Sequence, residues 1–242
     1  MLRLFYKTCR KIVFAPLVMK DFFGFKKKVV NQRFALSVMD MYPIVFEKTK
    51  TTGFDRHYVY HTSWAARKVK EITPEYHTDI SSSLYFSGIV SAFVPVKFYD
   101  YRPAELVLSN FESEHADLMA LPFEDSSVES LSCLHVIEHV GLGRYGDPID
   151  PEGDLKAIQE LKRVVRPGGS LLFVVPMGKE AVIQFNAHRI YTYSQVLSYF
   201  SDMELKEFSV IPERAGGMVV HAKEKDLENE TYGCGCFWFV KK

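Results

Sequence analysis

Two imidazoles and a carboxylate fall within five residues at His135-Val136-Ile137-Glu138-His139, the H-x-x-E-H spacing. On a helix, His135, Glu138 and His139 would share one face and could hold zinc with a general base beside it. The flanking residues point elsewhere. The preceding ESLSCL is strand-like, Gly141 and Gly143 follow at once, and no clear third ligand is placed. The spacing therefore predicts a polar strand end, and no metal is assigned. Cys234 and Cys236 lie two apart in a terminal strand pattern, so alternation puts both thiols on one face. With no second pair, buried cysteines are the reading there.

Carboxylates recur at the ends of apolar runs: Asp79 in YHTDI, Asp100 in VKFYDY and Asp117 in HADL. Each alone reads as a turn former. Three at successive strand ends would line one edge of a sheet, where ligands of open α/β folds bind, and an acid such as Asp100 can accept two hydrogen bonds from a ribose diol. The run GLGRYGDPIDPEGD is rich in turn-forming Gly, Pro and Asp. Arg144 and Tyr145 within it have no evident structural need and suit an anionic or sugar-like ligand at a cleft rim. Asn186, His188 and Arg189 form a polar cluster between Phe185 and Tyr191, and read as substrate contacts or as an ordinary polar connector.

These residues need a scaffold, and from Tyr76 onward strand and helix patterns alternate as in βαβ units with a parallel sheet. Strands are predicted at YHTDI, VKFYDY, HADL, Val128–Val136, SLLFVVPM, MELKEFSVI and CGCFWFVKK, the last two antiparallel. Helices are predicted through LYFSGIVSAF, DLKAIQELKRVV and TYSQVLSYF. The second of these carries Leu155, Ile158, Leu161 and Val165 at helical spacing, and Arg166-Pro167-Gly168-Gly169 stops it. Upstream, HYVYHTSWAARKVKE reads as a helix anchored by Trp64, Val69 and Ile72. The division expected is a basic, aromatic-rich extension over residues 1–71 and a main domain over 72–242.

The 242 residues carry no net formal charge, so no global field draws nucleic acid, and none is expected as a partner. The charge is unevenly placed. Residues 1–33 hold nine basic side chains against Asp21 alone, interleaved with Phe5, Phe14, Phe22, Phe23 and Phe25. That mixture predicts either helices packed on the core or peripheral contact with an anionic membrane face; Pro16 and Gly24 are expected to interrupt any long amphipathic helix there. Four scattered cysteines form no disulfide framework, and no apolar run spans a bilayer or resembles a signal peptide, so a cytoplasmic location is expected.

From His115 to Gly178 the order is acidic turn, Leu-Pro-Phe, apolar strand ending in Glu-His, amphipathic helix, Arg-Pro-Gly-Gly and apolar strand. It resembles the middle of a class I S-adenosylmethionine-dependent methyltransferase. The run HVIEHVGLGRYGDPIDPEGDLKAIQEL looks more closely like the bacterial domain-of-unknown-function family 268, which is methyltransferase-like. The resemblance implies a Rossmann-like, seven-stranded, mainly parallel sheet with helices on both faces. It implies S-adenosylmethionine as cofactor, held by Asp79, Ser81, Ser82, Asp100, Asp117, Leu118 and His135. It further implies His139 or His188 as base, and Glu138, Arg144, Tyr145, Asn186 and Arg189 around a small-molecule or saccharide acceptor. Ser81 stands where the family has its first glycine, so a scaffold that lost the cofactor is the competing reading. A nicotinamide dehydrogenase is weaker, since no G-x-G-x-x-G follows the first strand.

Overall fold

Period-two alternation of apolar side chains sets the layering of the larger of two compact units, Asp55–Lys242. The computed structural model describes residues 2–31 and 33–242, with side chains from residue 14 onward. In this unit β1 (His77–Ile80), β2 (Val96–Asp100), β3 (Phe111–His115), β4 (Val128–Leu134), β5 (Val165–Met177), β8 (Met203–Ile211) and β9 (Gly233–Lys241) form one sheet. Their order is β3-β2-β1-β4-β5-β9-β8. The first five run parallel, and β9 lies antiparallel to both β5 and β8. β6 (Val182–Gln184) and β7 (His188–Ile190) form a separate hairpin.

Alternate residues of β5 feed two cores. Leu171, Phe173 and Val175 pack with Ala157, Ile158, Leu161 and Val164 of α4 (Gly153–Val164) and with Val196 of α5 (Tyr193–Tyr199). Leu172 and Val174 pack on the other face with Trp64, Ala65 and Val69 of α2 (Arg56–Ile72) and Phe86 and Val90 of α3 (Leu84–Val90). Both faces are therefore covered, as a parallel sheet requires.

Several elements depart from the sequence reading. The third strand is Phe111–His115, so Asp117 lies in the turn beyond it and not at the end of a strand HADL. Arg166-Pro167-Gly168-Gly169 belongs to the thirteen-residue β5, since α4 already ends at Val164. The buried stripe of α4 runs Asp154, Ala157, Ile158, Leu161 and Val164; Leu155 faces solvent because it lies one position out of phase with that stripe. The segment FNAHRIYTYS contains β7 and the turn of a hairpin, not a plain connector.

α2 sits inside the larger unit rather than with the first unit, and one carboxylate anchors it. Glu207 of β8, buried, accepts from Trp64 Nε1 at 2.8 Å and Ser209 Oγ at 2.9 Å, and pairs with Lys68 Nζ at 2.7 Å. Burial alone would raise the Glu207 pKa, but these three donors outweigh it and hold it below the ordinary range. Asp55 caps the helix start, accepting from Tyr58 N. Start and middle of α2 are thus fixed. His57, His61, Trp64 and Ala65, at helical spacing, become one buried face.

The smaller unit, Met1–Phe54, is built around α1 (Leu2–Lys28). The helix runs through Pro16 and Gly24 without a break, contrary to expectation, and Lys26, Lys27 and Lys28 complement the negative end of its dipole. Asp21 pairs with Lys48 at 2.7 Å, and Phe14 meets Phe46 edge-on at 5.6 Å. Leu17, Phe23 and Phe25 are exposed. The side chains of Arg3, Phe5, Lys7, Cys9, Arg10 and Lys11 lie outside the described residues. Among the described residues, no helix is long and apolar enough to cross a membrane.

Candidate functional site

Parallel strands leave their carboxyl ends on one edge of the sheet, and two cavities open there. The first, about 220 Å³, is lined by Ser81, Asp100, Asp117, Leu118, His135 and His139, with Tyr145 at its margin. The second, about 610 Å³, is bounded by His57, Tyr58, Glu138, Arg144, His188 and Tyr232, and it shares His135, His139 and Tyr145 with the first.

Behind the first cavity lies a fully buried polar knot. Asp79 Oδ1 accepts from Ser82 Oγ at 2.6 Å and from Ser132 Oγ, and Oδ2 accepts from Ser87 Oγ at 2.6 Å. Ser82 Oγ in turn accepts from Leu134 N at 3.0 Å. His77 continues the network: Nε2–H donates to Ser132 Oγ and Nδ1 accepts from Ser130 Oγ, which follows from Ser132 having given its proton to Asp79. Burial holds His77 neutral, with a pKa of about 3. The expected cofactor contacts Asp79 and Ser82 are thus consumed internally. They bind β1, α3 and β4 to one another and do not line the cavity.

Ser81 does line it. Its φ of 55° places it in the left-handed region where glycine is favoured. Its N–H donates to the Tyr99 carbonyl at 2.7 Å, so the turn is held by the neighbouring strand. Asp100 and Asp117 each spend one oxygen on their own turn, accepting from Arg102 N at 2.7 Å and Met119 N at 2.8 Å. Both nevertheless face the cavity beside Leu118.

The H-x-x-E-H run is not a helix face. β4 ends at Leu134, His135 takes a positive φ of 59°, and Ile137–His139 is a single 3-10 turn. Glu138 consequently sits between the two imidazoles, 2.6 Å from His135 Nδ1 and 3.8 Å from His139 Nε2. His139 Nδ1–H donates to the Ala187 carbonyl at 2.6 Å, which leaves Nε2 as the basic nitrogen. Burial lowers the pKa of His139 and of His188, favouring neutral imidazoles.

The glycine-rich loop is organised by Asp147, whose Oδ2 accepts from Gly141 N at 2.9 Å and whose Oδ1 accepts from Tyr145 N at 3.1 Å. Gly141, at φ 77°, tolerates no side chain: a Cβ would lie 2.1 Å from the Asp150 carbonyl. Arg144 donates to the Ala187 carbonyl at 2.9 Å, and its guanidinium lies 5.2 Å from the Tyr145 ring centroid. Arg102 approaches the same ring at 4.8 Å. Two expected substrate contacts are elsewhere. Arg189 is buried, donating to the Val140 carbonyl at 2.6 Å and lying 3.6 Å from Asp154, so it braces the loop. Asn186 is exposed in the turn of the β6–β7 hairpin and lines neither cavity.

Residues that the sequence reading did not single out complete the second cavity and the cluster behind it. His57 of α2 and Tyr232, just before β9, line the cavity, and His61 of α2 lies buried beside His135. His57 stacks on His135 at 5.3 Å and on Tyr232 at 5.0 Å, and His61 lies 5.1 Å from His135. Burial holds His57 down to about 4 and His61 well below the ordinary imidazole value, with His135 adding to both. Burial would do the same to His135, but Cys234 and Glu138 outweigh it and lift the imidazole to about 10. Burial and Cys236 push the Cys234 thiol well up. Only the four-residue spacing of His57 and His61 hinted at this cluster.

A family described as Caenorhabditis protein of unknown function, DUF268, matches residues 112–227. Its description names Caenorhabditis where the sequence reading took the family as bacterial. The uncharacterised protein MJ0638 of Methanocaldococcus jannaschii is 29% identical over 99 residues, which cover 40% of this chain and 37% of that protein's length. Among solved structures, the [4+2]-cyclase SpnF aligns with a TM-score of 0.56 at 13% identity, over 79% of this chain and 84% of its own. A Galdieria sulphuraria protein described as a candidate sarcosine dimethylglycine methyltransferase gives 0.53 at 12%, over 75% and 85%. YcgJ of Bacillus subtilis gives 0.52 at 14%, over 75% and 98%. The fold is the Rossmann-like fold of S-adenosylmethionine-dependent methyltransferases, with a seven-stranded, mainly parallel sheet.

The Asp79 knot has a pH signature. Burial raises its carboxyl from 3.8 to about 6, against the lowering effect of the serine hydroxyls. A raised carboxyl pKa means the folded state binds the proton more tightly, so stability falls as pH rises from about 4 through about 6. Relative to Asp79→Asn, which cannot ionise, the native protein should lose on the order of 2 kcal/mol across that interval. Urea unfolding of both proteins at several pH values checks this; parallel curves would refute it.

Proposed function

We propose that the chain transfers a methyl group from S-adenosylmethionine to oxygen or nitrogen of a small or saccharide-like acceptor. The observation that carries this reading is the adjacency of two cavities with His139 at their shared wall, one offering nucleoside contacts and the other polar groups. The cofactor would be held by Asp100 at the ribose, Asp117 and Leu118 at the adenine, and Ser81 and His135 nearby. The residues fit, because Ser81 keeps a backbone conformation normally given to glycine. When bound, S-adenosylmethionine supplies an electrophilic methyl group. His139 accepts the acceptor's proton at Nε2, its ring fixed by the Ala187 carbonyl, while Arg144 and Tyr145 orient the acceptor at the rim. His188 is the second candidate base.

The competing reading is a scaffold that has kept the fold alone. Fold does not determine chemistry, and SpnF, a [4+2]-cyclase, has this fold. Calorimetry with S-adenosylmethionine and its demethylated product separates the readings. Saturable heat is expected, and none at millimolar ligand from folded protein would leave the scaffold. Ser81→Gly should raise stability by up to about 1 kcal/mol by relieving left-handed strain and should tighten binding.

Against an acceptor found in a sugar and polyol panel, His139→Ala should lower turnover by about 10²-fold or more. The same loss from His188→Ala with no loss from His139→Ala would transfer the role to His188.

The first unit is proposed to contact an anionic membrane surface. Exposed Leu17, Phe23 and Phe25 adjoin Lys26, Lys27 and Lys28, the pairing of shallow insertion with charge that peripheral binding requires. Each lysine contributes up to about 1 kcal/mol near anionic lipid. Replacing all three by alanine should reduce co-sedimentation with phosphatidylserine vesicles at low salt by tenfold or more. Equal sedimentation would leave the unit a structural role.

A further inference from the structure

Burying a polar atom without a partner is costly, and such atoms are concentrated in one place here. Among the described residues, the buried side-chain nitrogens and oxygens lacking any hydrogen bond are both ring nitrogens of His61, His135 Nε2, Glu138 Oε2 and His188 Nε2. His61 and Glu138 adjoin His135, and Cys234 reaches it from β9. One donor atom each from His57, His135 and Cys234 lies within 4.8 Å of the others, and all three residues are buried. We propose that His57, His135 and Cys234 bind a divalent cation of the zinc class.

The chemistry of the donors fits. One thiolate and two imidazoles form a borderline-soft set typical of zinc, and three protein ligands with one open position are the arrangement of a catalytic rather than a structural site. Zinc–donor bonds of about 2.0–2.3 Å separate tetrahedral ligands by somewhat under 4 Å, so small side-chain rotations close the cage. Glu138 provides the support that metal-binding histidines need. It accepts from His135 Nδ1–H at 2.6 Å, which orients the ring with Nε2 toward the cluster; a cation binding there would displace the Nε2 proton of His135 and the thiol proton of Cys234. The positive φ of His135 is what takes its ring off the strand direction and stacks it on His57.

The open position faces the larger cavity, since His57, His135 and Tyr232 line it while Cys234 lies behind them in the core. A bound cation would sit next to His139 and His188 without using either as a ligand. This differs from the H-x-x-E-H reading, in which His135 and His139 would share the metal. The site shares His135 with the first cavity, but its other two ligands, His57 and Cys234, do not line that cavity.

The test uses the full chain, stripped with a chelator and titrated with cobalt(II), with zinc content after reloading measured by mass spectrometry. Expected are about one equivalent of zinc and a thiolate-to-cobalt charge-transfer band in the near ultraviolet. Cys234→Ser should abolish the band, and His57→Gln should weaken cobalt binding at least tenfold while circular dichroism stays native. His57→Gln lies at the start of α2, so it tests the site even if Cys234→Ser fails to fold. Folded native protein that gives no thiolate band, or a band unchanged in both variants, would overturn the proposal. Loss of methyl-donor binding with the band intact would instead count against the methyltransferase reading alone.

Discussion

A buried carboxylate at the end of β1 organises the edge of the sheet where the cavities open. Asp79 collects hydroxyl groups from the turn, from α3 and from β4, and no water reaches it to compete. Because each hydroxyl gives its only proton to the carboxylate, the acceptor sides of Ser82 and Ser132 are directed outward, to Leu134 N and His77. The knot therefore fixes the relative height of β1 and β4. It also places Ser81, one residue before Ser82, in the left-handed conformation at the cavity wall. A serine-rich turn does by side-chain hydrogen bonding what glycine does by conformational freedom.

A second carboxylate has the matching role for the histidine cluster. Glu207 ties Trp64 and Lys68 of α2 to β8, while Asp55 caps the helix start. With both points fixed, His57 and His61 are held against His135. Burial is what makes this cluster consequential. Imidazoles in water would be partly protonated and hydrated, whereas here burial favours neutral His57 and His61 beside His135. Glu138 supplies the counterweight of negative charge at His135.

The two cavities share His135, His139 and Tyr145, so any change in the loop that carries Arg144 and Tyr145 is felt on both sides. That loop owes its shape to Asp147 and to the close approach of Gly141 to Asp150. Arg189 braces it from β7. The polar residues of this region thus divide into those that build the loop and those that face the cavities, a division that residue type cannot reveal.

The sequence by itself determined the layered α/β architecture, because period-two and period-3.6 patterns are local and each strand needs two covered faces. Asp100, Asp117 and His139 could be placed at the cavity edge because they lie at or just beyond strand ends, and strand ends in a parallel sheet converge; Tyr145 stood out in a turn-rich loop as a residue with no evident structural need. Tertiary structure alone decided the rest. Asp79 and Ser82 turned inward because their partners, Ser87 and Ser132, come from other elements. Arg189 became a brace and Asn186 an exposed turn because a short hairpin, too brief to leave a periodic signal, lies where a connector was read. Pro16 did not break α1. His57, His135 and Cys234 are far apart in the chain and meet only because α2, β4 and β9 pack together, so no spacing could have announced them.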